Sequence, residues 1–183
     1  MPGLIEREEL LARLRGAWRD GEPLLLVGGV AGVGKTTLVQ AFTAGAEGRV
    51  LLGACKRLDT PAPLGPLPDV AGEVGGALAS AIEAGRHPRR VALSLLDELR
   101  RPAVLILEDV HWADEATLDV LRVLGRRVAA TPSLVVVTYR EDEAVGDHPL
   151  RRLFGELERA ERSIRDHIAF AEEHDLDSTY TRA

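Results

Sequence analysis

The sequence has a single cysteine, Cys55, so no internal disulfide can form, and a reducing cytoplasm is the expected compartment. No apolar run approaches the ~18 residues that a membrane-spanning helix needs. The longest are strand-sized, such as Leu24 to Val27 and Leu134 to Val137. The opening MPGLIEREEL lacks the basic stretch and apolar core of a secretory signal. Positive charge is not in excess either. A formal net charge of -6 has the wrong sign for a chain that grips nucleic-acid phosphates by itself. Lysine is scarce: among 23 basic residues only Lys35 and Lys56 are not arginine. A compact ammonium on a flexible stem therefore stands at Lys35 in a sequence that otherwise writes the planar arginine fork.

What is present is ordinary for a globular chain: 45% hydrophobic and 28% charged residues over 183 positions. That length holds one domain with a sizeable core, or one domain and a short appendage. Leu4, Ile5, Leu10, Leu11, Leu14 and Trp18 recur at helical spacing, and Asp20–Gly21 ends that helix. Leu24 to Gly28, Val50 to Ala54, Val104 to Leu107 and Leu134 to Thr138 read as short apolar strands. Between them the pattern predicts helices over Thr36–Ala44, Asp69–Ala84, Arg89–Arg100 and Glu115–Ala130, with four prolines making Thr60–Pro68 an irregular loop. Strands alternating with helices imply an α/β fold, a parallel sheet covered on both faces. No internal repeat or low-complexity segment interrupts it.

The strongest motif is GVAGVGKTT, Gly29 to Thr37, between an apolar strand and a helix. It fits the phosphate-loop pattern of Gly, four residues and Gly-Lys-Thr. Gly29, Gly32 and Gly34 let the backbone approach a phosphate closely, while Val30, Ala31 and Val33 complete the loop. Their amides and the following helix N-terminus form a positively polarised nest. Lys35 would reach the β- and γ-phosphates, the Thr36 hydroxyl would ligate magnesium, and Thr37 would contact the α-phosphate.

A second motif, VLILEDVHWAD, ends an apolar strand in the acids Glu108 and Asp109. One carboxylate can hold a hard cation, and the other can orient or deprotonate an attacking water. The residues leave the assignment open; Asp109 is favoured for the metal and Glu108 for the base. Asp114 reads as a helix N-cap. Arg140, just after LVVVTY, would share the carboxyl-end edge of the sheet with Asp109 and could sense the γ-phosphate. Trp112 reads as packing and His111 as a polar contact. Arg126 and Arg127 read as a solvated helix face. His87, His148, His167 and His174 have no metal-binding spacing.

Taken together, LIEREEL (Leu4 to Leu10), GVAGVGKTT, TPAPLGPL (Thr60 to Leu67), LEDVHWADEATLDVL (Leu107 to Leu121), VVVTYR (Val135 to Arg140) and DHPLRRL (Asp147 to Leu153) resemble the ATPase domain of the large ATP-binding regulators of the LuxR type. That domain is similar to the origin-recognition-like AAA ATPases and the signal-transducing STAND NTPases. The resemblance implies a three-layer P-loop fold over residues 1–157 with sheet order 5-1-4-3-2. It implies ATP and Mg2+ as ligands, Glu6 and Arg7 near the adenine pocket, Arg140 as the sensor, and a homo-oligomer or a regulatory protein as partner. In that family DNA binding belongs to a separate C-terminal module.

From Glu158 the chain departs from the family pattern and runs ERAERSIRDHIAFAEEHDLDSTYTRA. Ile164, Ile168 and Ala171 predict an amphipathic helix, so residues 158–183 read as a helical tail, a helical-repeat remnant of a truncated member. The fifth strand is then expected to be missing, leaving the phosphate-loop strand at an open edge. Three functions follow: an ATP-hydrolysing switch, a nucleotide-binding module without significant turnover because of truncation, or a small-molecule P-loop kinase.

Overall fold

In the computed structural model, which describes residues 2–46, 48–57, 63–159 and 166–169, four central strands lie parallel. These are β1 (Leu24–Gly28), β2 (Arg49–Ala54), β3 (Ala103–Glu108) and β4 (Leu134–Thr138). Pairing is in register: Leu24 to Val27 with Val135 to Thr138, Val104 to Leu107 with Leu134 to Val137, and Arg49 to Ala54 with Ala103 to Glu108. β1 and β4 are buried along their whole length, which is why they read as unbroken apolar runs.

The two-residue period of the strands divides the core in two. Leu25, Val27, Val104, Ile106, Leu134 and Val136 point to one face. There they meet Leu14 and Ala17 of α1 (Pro2–Arg19) and Leu38, Val39 and Phe42 of α2 (Lys35–Thr43). Leu24, Leu26, Leu51, Leu105, Leu107, Val135 and Val137 point to the other. That face is covered by α3 (Leu67–Val74), α4 (Gly76–Glu83), α5 (Pro88–Glu98), α6 (Glu115–Arg127) and α7 (Pro149–Arg159). No helix among the described residues is long and apolar enough to cross a membrane.

The structure corrects the sequence reading in three places. The helix expected over Asp69–Ala84 is two helices, because Gly75 sits at φ 67°, ψ -146°, which no helix accommodates. The irregular loop ends earlier than expected: α3 starts at Leu67, since Pro68 falls in its first turn, where a missing N–H costs nothing. The third correction is the open edge. Asp166–Ala169 forms a short strand, β5, parallel to β1, with Leu25 to Gly28 opposite Asp166 to Ala169. The sheet order is therefore β2-β3-β4-β1-β5. The order 5-1-4-3-2 holds, but the fifth position is filled and those residues are not helical. The unpaired amides and carbonyls along β1 favour a strand there, because pairing satisfies both edges. The helical tail foreseen for 158–183 otherwise lies outside the described residues, apart from the end of α7 at Arg159.

Candidate functional site

Parallel strands deliver their carboxyl ends to one edge of the sheet. β1 runs there into the loop Gly29–Gly34, β3 into Asp109, and β4 into Tyr139 and Arg140. The loop closes onto α2 through Gly34, whose φ of 100° and ψ of 22° suit glycine and start the helix without a side-chain cap. The first amides of α2 thus face the loop with no side-chain acceptor of their own. Lys35, 7% exposed, donates from Nζ to the carbonyls of Gly29 (2.7 Å) and Val30 (2.8 Å). Burial lowers its pKa, and so does the Arg140 guanidinium, although Asp109, Asp142 and Glu141 act the other way.

The two acids are not equivalent. Glu108 is half-buried, and burial raises its pKa; a hydrogen bond with the Thr36 side chain opposes the shift, and the Asp109 charge adds to it. One of its oxygens, Oε1, is buried without a hydrogen-bond partner. Asp109 adopts a left-handed backbone, φ 54° and ψ 40°, uncommon for a residue with a side chain. Its amide donates to the Thr138 hydroxyl at 3.1 Å. The Thr36 hydroxyl, Glu108 and Asp109 form an all-oxygen donor set. The described residues hold no group of three or more His, Cys, Asp or Glu side chains that could bind a metal alone. Oxygen donors such as the Thr36 hydroxyl, Glu108 and Asp109 would suit magnesium, which takes one or two protein oxygens, keeps waters, and completes its shell with phosphate.

The family model whose description is AAA ATPase domain matches residues 3–137. The chain belongs to the AAA ATPase domain family. Membership in an ATPase family carries nucleotide binding and hydrolysis as the general activity. Solved structures agree on the fold. One is a Drosophila ORC bound to AT-rich DNA and Cdc6, with TM-score 0.57 and 14% identity over 92% of this chain and 55% of that one. Another is the Aeropyrum pernix ORC1 protein in complex with DNA, with TM-score 0.55 and 16% identity over 91% of this chain and 44% of that one. At such identities the likeness is one of fold. An uncharacterized protein of Rhizobium meliloti (strain 1021) is 34% identical over 85 residues, 42% of this chain and 8% of that relative. The chain therefore spans a small part of this curated relative and about half of the first of these structures.

Around the acids, the AAA ATPase domain builds a polar bracket that sequence reasoning only partly found. His111, its side chain 1% exposed, accepts from the Arg140 amide at Nδ1 (3.3 Å). Its proton is therefore on Nε2, which is buried without a partner, 3.8 Å from Glu143 Oε2. Burial lowers the His111 pKa, against the pull of Asp109 and Glu143. The Trp112 indole N–H donates to Glu143 Oε2 at 3.0 Å, and Arg140 Nη1 donates to Glu143 Oε1 at 2.6 Å. The Arg140 guanidinium also lies 4.8 Å from the Trp112 ring centre. Burial works to raise the Glu143 pKa, but these donors outweigh it and leave it below the ordinary value.

Arg7 reaches the loop from α1: its Nη2 is 3.5 Å from the Val33 carbonyl, close to Gly34. Asp114 caps α6 from Ala116 N–H (3.1 Å) and accepts from the Thr117 hydroxyl, as its spacing predicts. It also accepts from the Leu64 amide at 3.1 Å, tying down the proline-rich loop. Sequence reasoning missed Glu143 and Thr138. In the run Glu141-Asp142-Glu143 nothing singles out one acid except its three-residue spacing from Arg140, which acts because the chain turns there, Ala144 N–H meeting the Arg140 carbonyl at 3.0 Å.

Proposed function

We propose that this domain binds ATP with Mg2+ in the loop Gly29–Thr36 and hydrolyses it slowly, as a nucleotide switch. The observation that carries the reading is the Thr36 side chain lying beside Glu108, close enough to favour its ionised form. It joins the end of the phosphate loop to the acid-bearing strand, so a phosphate in the loop would lie beside both carboxylates. The amides of Gly29, Val30, Ala31, Gly32, Val33 and Gly34 cradle the polyphosphate, and Lys35 exchanges its loop carbonyls for β- and γ-phosphate oxygens. Thr37 contacts the α-phosphate.

The Thr36 hydroxyl and Asp109 hold the magnesium, which supplies charge neutralisation on the phosphates when bound. Glu108 positions and deprotonates the attacking water; burial tunes it for that work by raising its affinity for a proton. Arg140, beside Lys35 and the acids, reads the γ-phosphate. Arg7, against Val33 and Gly34, borders the pocket for the base. Preference for ATP over GTP, and a place as the switch of a LuxR-type regulator acting through a homo-oligomer or a regulatory partner, rest on the residue stretches shared with those regulators.

Phosphate release from Mg-ATP, without any added phosphate acceptor, tests the reading. Glu108→Gln should bind nucleotide while losing roughly a hundredfold or more in turnover. Turnover unchanged in that variant would remove Glu108 from the chemistry. Transfer of phosphate only to an added small molecule would replace the switch with a kinase.

A further inference from the structure

Glu143 holds Arg140, the arginine that the reading above assigns to the γ-phosphate. Its Oε1 takes Nη1 of Arg140 at 2.6 Å, while Oε2 takes the Trp112 indole N–H at 3.0 Å. The guanidinium is thereby clamped between a carboxylate and the Trp112 ring. A second seat for the same carboxylate lies next to the first. Nε2 of His111 is buried, lacks a partner, and stands 3.8 Å from Oε2, just beyond hydrogen-bond reach. A small movement would satisfy that donor and keep the indole contact, while releasing Arg140.

We propose that Glu143 competes with the γ-phosphate for Arg140: it occupies the guanidinium until a nucleoside triphosphate claims it, and then settles against His111. This rests on the nucleotide-binding reading above. Two anions compete for one fork, because a γ-phosphate beside Arg140 would lie close to an ionised Glu143 and be repelled by it. The carboxylate thus sets how strongly the site distinguishes triphosphate from diphosphate, acting through Arg140. It is a positioning residue, since it touches the arginine and not the nucleotide.

The test is calorimetric titration of the full chain with Mg-AMP-PCP and with Mg-ADP. Wild type, Glu143→Gln, Arg140→Ala and the double variant are compared. Glutamine keeps an acceptor for Trp112 but removes the charge. Glu143→Gln should bind the triphosphate analogue about fivefold or more tightly, with ADP affinity unchanged, a coupling of the usual size between linked sites. In the Arg140→Ala background the same substitution should change nothing. A purely structural role for Glu143 would move both nucleotides together. Equal shifts for both, no shift in the single variant, or the same gain without Arg140 would each overturn the competition and leave nucleotide binding intact. Failure of wild type to bind either nucleotide would overturn the underlying site as well.

Discussion

The Lys35 ammonium is held inside its own loop, on the carbonyls of Gly29 and Val30, and is nearly inaccessible. A buried cation with only carbonyl partners gains greatly when a polyphosphate offers charged oxygens in the same place. Lys35→Ala should therefore abolish most of the thermal stabilisation by Mg-ATP. Lys56→Ala, the other lysine, should leave it intact; differential scanning fluorimetry checks both. His111 supplies a second residue-scale prediction. Its pKa is lowered from 6.5 by burial, so the folded state prefers the neutral ring. The unfolded chain binds that proton more readily. Stability is therefore fully present above the unfolded value of about 6.5 and declines as pH falls below it. The raised pKa of Glu108 acts in the opposite sense, its contribution fading as pH rises above the ordinary carboxylate range. Subtracting the His111→Gln melting profile from that of wild type isolates the histidine. The difference should shrink as pH falls from 7 to 5, and a flat difference would show that His111 is not buried neutral.

At the scale of elements, what was legible in the sequence was what depends on local pattern. β1, β3 and β4 are apolar runs with the positions that the residues indicate, because strands buried on both faces need no alternation. The glycine-rich bend between β1 and α2 was legible because its glycines, lysine and threonine stand at fixed offsets. The contact between Thr36 and Glu108 was inferable only from topology, since 72 residues separate them. Glu143 was hidden because an acid in a run of acids has no signature until a turn folds it back. β5 was misread because Ile164, Ile168 and Ala171 match a helical period, whereas the free edge of β1 decides the outcome at Asp166–Ala169. The break between α3 and α4 was also missed: an isolated glycine in a helical pattern is often tolerated. Gly75→Ala tests its cause. With φ 67°, ψ -146° and nothing within 4 Å of a new Cβ, the change adds backbone strain alone. It should cost about 1–3 kcal/mol in chemical denaturation. No loss would mean that the two helices can merge.

Across the whole molecule, the site depends on a sheet packed from both sides. α2 hangs the loop Gly29–Gly34 on the face that Leu14, Leu25, Val27, Leu38, Val39 and Phe42 fill. Phe42, 1% exposed, is the largest fully buried side chain there. Phe42→Ala should lower stability by roughly 3–5 kcal/mol, and the melting temperature by about 10 °C for a chain of this size. Nucleotide should restore part of that loss, because a ligand at 100 times its dissociation constant adds ~2.7 kcal/mol to the folded state. β3 and β4 send side chains into both faces, and present Glu108 and Arg140 at the same carboxyl edge of the sheet where that loop lies. The most direct measurement of the account is the melting temperature of wild type and Lys35→Ala with Mg-ATP and without it. Wild type should rise by several degrees and the variant by almost none. An identical response in both proteins, or no response in either, would contradict it.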